Sequence, residues 1–381
     1  MSKLLLAMVL GCAGLANAQD QAFTRAFSLY KAGSVTEARN ILLASIEHNA
    51  TALDYSLLGS IEFQQTNFAD AESHLRRALA MEPKLAGARF TLATLLQTTG
   101  RIADARKELQ QVLVVAPRHV DALLALARIE NLQGNSEAAL ALLLKAKGFS
   151  PNDPAVLFSL GALCLQMDLI KDGTANLERA AQLDPANPAT QYALASARIA
   201  NRDFPAAIKI YRGLLDSSPN NAQVAYALGA TFFLQGDNAA ATRYFERSIR
   251  LEPQQAESFY YLGVIADQNG DKEKSIALLE SVVAHHPDHA RAHIALGLEC
   301  RSIGRLNDAK RELESAVQLD PSSQKAHYQL GLVLNALKDQ ESAKAQLAIA
   351  SRLRAASDDR VSWILASPEG QSGHASTKNG N

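Results

Sequence analysis

From residue 52 onward the apolar and polar positions of the chain repeat with a period of 34 residues. With Ala52 as position 1, position 7 is leucine in nine successive units: Leu58, Leu92, Leu126, Leu160, Leu194, Leu228, Leu262, Leu296 and Leu330. Position 8 is always small: Gly59, Ala93, Ala127, Gly161, Ala195, Gly229, Gly263, Gly297 and Gly331. Position 20 is small as well, alanine in seven units, with Gly173 and Ser275 in the other two. Positions 4, 7, 8 and 11 share one face of a 3.6-residue period, and positions 20, 24 and 27 share a face of a second. Each unit therefore predicts two short helices, A and B, packed through small residues that let the backbones approach. Period-two runs rich in Val, Ile and Thr are missing, so no sheet is expected.

The punctuation has the same period. Pro83, Pro117, Pro151, Pro185, Pro219, Pro253, Pro287 and Pro321 all fall at position 32, eight of the twelve prolines in the chain. Proline has no amide hydrogen and biases the residue before it away from helix, so helix B must end there. The tetrapeptide QLDP occurs at 182–185 and again at 318–321, four periods apart, because it is the end of helix B plus this stop. Gly100, Gly134, Gly236, Gly270 and Gly304 stand at position 15, where a left-handed residue ends helix A. Asp153-Pro154 and Asn187-Pro188 read as a capping side chain followed by proline in the first helical turn.

A 34-residue helix–turn–helix with these signatures resembles the tetratricopeptide repeat. Nine units fit in phase, 52–85, 86–119, 120–153, 154–187, 188–221, 222–255, 256–289, 290–323 and 324–357, and a degenerate tenth fits 19–51, with Gly33 and Ala38 one residue out of phase. The resemblance implies an all-α fold, a right-handed superhelical α-solenoid of about ten repeats, with helix A lining the concave side and helix B the convex side. Departures from the family pattern are local. Its position-4 aromatic is replaced by Arg89, Leu123, Leu157, Gln191, His293 and His327, and position 11 includes Glu130 and Arg198.

Composition and charge narrow the function. With 38 basic and 39 acidic residues the chain lacks the basic excess of a nucleic-acid binder. At 48% hydrophobic it is not a disordered polyelectrolyte. Residues 1–18 place Lys3 before the apolar stretch from Leu4 to Leu15 and end in Ala16-Asn17-Ala18. That order is a secretory signal peptide cut after Ala18, and the apolar stretch is too short to span a bilayer of about 30 Å. A second processing route is lipidation at Cys12, because Val9-Leu10-Gly11-Cys12 loosely matches a lipobox. The expected place is exported, periplasmic or secreted.

No nucleophile elbow, phosphate-cradling glycine loop or zinc-protease motif occurs, so the chain is expected to be no enzyme and to need no cofactor. Cys164 and Cys300 both fall at position 11 of helix A, four units apart. Helices stacked at about 8–10 Å put them far beyond the roughly 7 Å a disulfide bridges, so two buried free thiols are expected. His289 and His293 are i and i+4, a spacing that suits a metal pair. The favoured reading has no metal: His293 stands in the aromatic position, as does His327 one unit later, and His285, His286 and His289 fall in the turn between units.

The resemblance points positions 2, 5, 9 and 12 of helix A into the groove. Position 5 supplies Phe90, Leu124, Phe158, Tyr192, Tyr226, Tyr260 and Tyr328; Phe63, Phe233, Asp267 and Arg301 lie at position 12, and Arg128 at position 9. Such a stripe of rings is a candidate surface for a protein or peptide partner, and packing between units is the competing role. Glu257 and Asp267, followed by Arg291, Arg301 and Lys325, suggest a partner of opposite charge order. The Lys/Asn set with which some family members grip a terminal carboxylate is missing. Residues 358–381, with Trp363 and Ile364, read as a short capping segment and a disordered polar tail.

The expected function is a non-enzymatic protein-interaction scaffold in a cell-envelope assembly of the pilus, secretion or exopolysaccharide kind. Two alternatives stand beside it. One is an accessory subunit of an envelope polysaccharide complex, with a glycan stacked on Tyr192, Tyr226 and Tyr260; the other is a cytosolic regulator, should the first eighteen residues not direct export.

Overall fold

The computed structural model describes residues 18–48 and 50–354; the expected signal segment with Cys12 and the expected tail with Trp363 lie outside them. Among the described residues the chain has twenty α-helices and no strand. It divides into two compact units, 1–184 and 185–381. The first contains α1 (Ala18–Lys31), α2 (Val35–His48), α3 (Ala52–Gln64), α4 (Phe68–Met81), α5 (Ala86–Thr98), α6 (Ile102–Val115), α7 (Val120–Leu132), α8 (Ser136–Phe149), α9 (Pro154–Gln166) and α10 (Ile170–Leu183). The second contains α11 (Pro188–Ala200), α12 (Phe204–Ser217), α13 (Ala222–Gln235), α14 (Asn238–Leu251), α15 (Ala256–Gln268), α16 (Lys272–His285), α17 (Ala290–Ser302), α18 (Leu306–Leu319), α19 (Gln324–Ala336) and α20 (Gln340–Arg354). Odd-numbered helices are helix A of each repeat and even-numbered ones helix B. Within each unit a helix packs on its sequence neighbours, and helix A also reaches helix A of the next repeat, as α3 does α5 and α17 does α19. This is the α-solenoid that the 34-residue period predicts.

Helices of 13 or 14 residues are marginal alone in water, so packing has to hold them. The core of each unit is the row of position-7 leucines and position-20 alanines: Leu58, Leu92, Ala105 and Ala139 in the first, Leu228, Ala207, Ala241 and Ala309 in the second, all at most 1% exposed. Glycine at position 8 is required where helix B presses closest. A Cβ built on Gly161 would stand 2.6 Å from Leu177 Cγ and 3.0 Å from the Gly173 carbonyl oxygen.

The local signals act as their chemistry predicts. The residue before each ladder proline is extended, as in Glu82 (φ −133°, ψ 89°) and Ala116 (φ −130°, ψ 78°), which ends helix B. Asp153 accepts from the Ala155 amide at 2.8 Å, and Asn187 from the amides of Ala189 and Thr190 at 3.0 and 3.2 Å. Position 15 is left-handed in all nine in-phase units. Glycine takes it in five; Thr66, Asp168, Arg202 and Lys338 take it at φ between +58° and +66°. The conformation belongs to the repeat, whatever residue stands there. Cys164 and Cys300 are buried and free, as expected.

The position-4 substitutions form a pattern of their own. Arg89 Nη2 donates to the Pro83 carbonyl at 2.8 Å, Gln191 Nε2 donates to that of Pro185 at 3.1 Å, and His293 and His327 reach those of Pro287 and Pro321 at 3.0 Å. The other end of the side chain meets position 23 of helix B: Arg89 with Glu108 at 2.6 Å, His293 with Glu312 at 2.8 Å, His327 with Gln346 at 2.6 Å. A polar residue thus ties the turn to helix B where the family uses an aromatic ring. The position-11 acids are partnered as well. Glu130 is buried, and it accepts from Arg106 Nε at 2.7 Å and Asn135 Nδ2 at 2.9 Å.

Candidate functional site

In the unit 185–381 the helix-A face carries a connected set of rings. Tyr192 on α11 meets Tyr211 on α12 edge to face, centroids 5.2 Å apart, and its hydroxyl accepts from Gln223 Nε2 on α13 at 3.3 Å. Tyr226 on α13 leans on Phe245 at 6.0 Å and on Tyr261 at 6.2 Å. Tyr261, on α15, is the hub. It stacks on Phe245 at 5.1 Å and 3°, meets Phe233 at 5.2 Å and abuts Tyr260 at 5.2 Å. Tyr260 in turn packs on the His289 imidazole at 5.4 Å. Tyr192, Tyr226, Phe233 and Tyr260 are half-buried. Tyr328 on α19 is 43% exposed, the most open ring of the stripe.

Part of the charge on this face is paired within the fold. Arg291 on α17 donates to Glu257 on α15, and its guanidinium lies 5.0 Å from the Tyr260 centroid and 6.0 Å from that of Tyr261. His289 Nε2 sits 3.3 Å from the same carboxylate. Burial works to raise the Glu257 carboxyl, but His289 and Arg291 outweigh it and hold it below the ordinary carboxylate range. Lys272 on α16 pairs with Asp267, and with the buried Glu299 at 3.0 Å. Of the charges expected to face a partner, Glu257 and Arg291 pair with each other and Asp267 pairs with Lys272. Burial raises the hydroxyls of Tyr192, Tyr226 and Tyr260, which stay neutral at physiological pH. Arg301 is half-buried on α17.

In the unit 1–184 the corresponding residues are separate. Phe63 tilts against Phe68 at 6.0 Å, and Phe90 packs on His119 at 4.7 Å. Leu124 and Phe158 are half-buried without a ring partner among the described residues. Arg128 is exposed and donates to Gln97 Oε1 at 3.0 Å. The histidines have structural work. His289 caps α17, accepting from the Ala292 amide at 3.0 Å, and His293 is buried between Glu312 and the Pro287 carbonyl. His285 ends α16 rather than lying in the turn, and its ring meets the Ser281 carbonyl at 2.8 Å.

Tyr261 sits at position 6, one residue beside the counted groove positions, and its role as hub shows only in its contacts with rings on α13, α14 and α15. Gln223 occupies position 2, a groove position, but was not singled out among them; its signal is the 31-residue spacing to Tyr192 that helix-A stacking brings into contact.

A sequence model described as tetratricopeptide repeat matches residues 90–154, 171–222, 192–256, 226–290, 262–306 and 294–359. No curated protein matches the chain. Among solved structures, a tetratricopeptide repeat protein of Parabacteroides merdae is 16% identical, with 65% of this chain and 98% of that one covered and a TM-score of 0.52. The Cut9–Hcn1 hetero-tetramer of the APC/C is 14% identical, over 91% of this chain and 83% of its own, with a TM-score of 0.51. The pilF protein of Pseudomonas aeruginosa is 25% identical over 55% of this chain and 95% of its own, with a TM-score of 0.48. Stacked helix pairs of this kind present extended surfaces to other proteins, and the fold is that of a protein-interaction scaffold. With the family model matching two-thirds of its length and its described helices following one another in helix–turn–helix pairs, the chain belongs to the tetratricopeptide repeat family.

Proposed function

We propose that the protein is a non-enzymatic scaffold that receives an apolar, weakly charged segment of a partner protein along the helix-A face of residues 185–354. One observation carries this reading. Tyr192, Tyr226 and Tyr260 recur at one position of three successive helices A, Tyr328 takes it again two repeats on, and the charges nearest Tyr260 are held in the Glu257–Arg291 and Asp267–Lys272 pairs. A partner would meet flat ring edges, neutral hydroxyls and the Gln223 amide, groups suited to a peptide's side chains and backbone. The arrangement Lys3, Leu4–Leu15, Ala16-Asn17-Ala18 supports an exported protein and hence an envelope assembly as the place of action.

The test is affinity capture from an envelope extract with residues 19–381 as bait, compared with a Gln223→Ala/Tyr328→Ala variant. Those side chains are half-buried and exposed, so the variant keeps its helical circular dichroism. A partner held by the first bait and lost by the second supports the groove; equal retention rules it out. Fractionation of the tagged full-length protein decides the compartment. A processed form in the envelope is expected, and an unprocessed form in the cytosol eliminates export and leaves a cytosolic regulator.

A further inference from the structure

The helix-B side of the unit 185–381 holds a recess that the tyrosine face does not involve. It lies between α12 and α14, encloses about 330 Å³, and is lined by Arg212, Arg243, Arg247 and Arg250 around Phe232 and Tyr244. The two rings stack at 5.4 Å and 7°. Arg212 lies over Phe232, its Cζ 5.5 Å from the ring centroid. Arg247 is anchored by a hydrogen bond from Nη2 to the Pro219 carbonyl at 2.7 Å. The lining contains one carboxylate, Asp237, which already caps α14 by accepting from the Ala240 amide at 2.9 Å. Among the described residues, no hydrogen bond or ion pair engages Arg212, Arg243 or Arg250.

This arrangement works against the helix that carries it. Arg243, Arg247 and Arg250 stand at i, i+4 and i+7 on α14, and like charges at that spacing weaken a helix. The equivalent residues of the next repeat are Ala277, Ser281 and Ala284, so the repeat itself does not call for them. All four cations are arginines, whose planar fork matches a carboxylate in a bidentate grip. The row along α14 spans about 10 Å at 1.5 Å per residue, with one guanidinium per helical turn. Carboxylates recur at that interval on one face of a partner helix, or at alternate residues of an extended strand at about 6.8 Å. A lone phosphate would use only part of the row. Nucleic acid and anionic lipid surfaces select broad basic fields, whereas Glu246 and Glu252 flank this row and the chain is nearly neutral.

We infer that this recess is a second partner site, on the face opposite the tyrosines, and that it takes an acidic peptide segment of a partner protein. The carboxylates of that segment lie on Arg243, Arg247 and Arg250, and its backbone passes Tyr244 beneath Arg212. The experiment is fluorescence anisotropy with residues 19–381 and a labelled peptide carrying glutamate at alternate positions. Its glutamine counterpart, inorganic phosphate and vesicles of anionic phospholipid serve as competing probes. Arg243→Gln/Arg250→Gln removes two exposed, unpartnered guanidinia and leaves the fold intact by circular dichroism. It is expected to weaken the glutamate peptide by about tenfold or more, with added salt weakening the wild type likewise. Gln223→Ala/Tyr328→Ala is expected to leave this affinity within about twofold, because it lies on the other face. The inference is overturned by an unchanged affinity in the arginine variant or by equal binding of the glutamine peptide. Arginine-dependent binding to phosphate or vesicles without binding to the peptide overturns it too.

Discussion

Single residues show where the repeat imposes a conformation that its sequence does not welcome. Thr66 holds the left-handed position at φ +64° in an exposed turn, where a β-branched side chain is at its worst. A left-handed L-residue is disfavoured by about 1–2 kcal/mol, and glycine's larger unfolded entropy returns roughly 0.5–1 kcal/mol of any relief. Thr66→Gly is therefore expected to stabilise by about 0.5–1 kcal/mol. A urea midpoint that falls, or does not move, would contradict this. The opposite case is Gly161. Alanine is the better helix former by about 1 kcal/mol, yet its Cβ would stand 2.6 Å from Leu177 Cγ. Overpacking of that degree costs about 1–3 kcal/mol and should win. At Gly263 the nearest atom is Leu279 Cγ at 3.0 Å, a milder contact than at Gly161, so Gly263→Ala is expected to cost less than Gly161→Ala. Paired denaturation of the two variants checks the order.

At the scale of the element, the unusual position-4 residues act as struts between a turn and helix B, and one of them titrates. The hydrogen bond that His293 donates to Glu312 raises the imidazole above its ordinary 6.5, against burial; the same bond holds the Glu312 carboxyl below its ordinary 4.5. The raised histidine gives stability that is fully present below pH 6.5 and is lost as pH rises through its folded value. The lowered carboxyl gives stability that is present above pH 4.5 and is lost as pH falls through its folded value. The strut is thus strongest between those limits. His293→Gln, which keeps a donor toward the Pro287 carbonyl, should destabilise more at pH 6 than at pH 8. Equal losses at the two pH values would mean that the bond is made by a neutral imidazole throughout. The helices themselves were legible because their signals are local: a proline stop, a capping Asp153, a small residue at position 8. The struts were not, because Glu312 lies 19 residues beyond His293 and meets it only after α18 has folded back on α17. The Glu257–Arg291 pair has the same cause: the two are one period apart, so they occupy the same position on neighbouring helices, where opposite charges pair before any partner arrives.

For the whole molecule, the period that made the fold readable also limits how far a perturbation can travel. A solenoid helix is held by the helices stacked beside it, so stability is close to a sum of repeat and nearest-neighbour contributions. That is why the family and the fold could be read from spacing, whereas features confined to a few repeats could not. The tyrosine stripe follows the period, but its hub, Tyr261, and the arginine recess are confined to two or three repeats of the second unit. Local variation of that kind has no period to betray it. The same logic predicts how damage is confined. Gly161→Ala loosens the α9–α10 contact, and in a nearest-neighbour stack the helices beside it should open with it while α15 to α19 keep their protection. In hydrogen–deuterium exchange of the full chain, faster amide exchange is expected in α8, α9 and α10 and no change in α15 to α19. Gly297→Ala, whose Cβ would stand 2.7 Å from Leu313 Cγ, should give the mirror result, with α17 and α18 opening and α3 to α6 unchanged. Uniform acceleration along the whole chain in either variant would mean that the stack opens as one cooperative body. A partner bound at the tyrosines would then be felt in every repeat and not only where it docks.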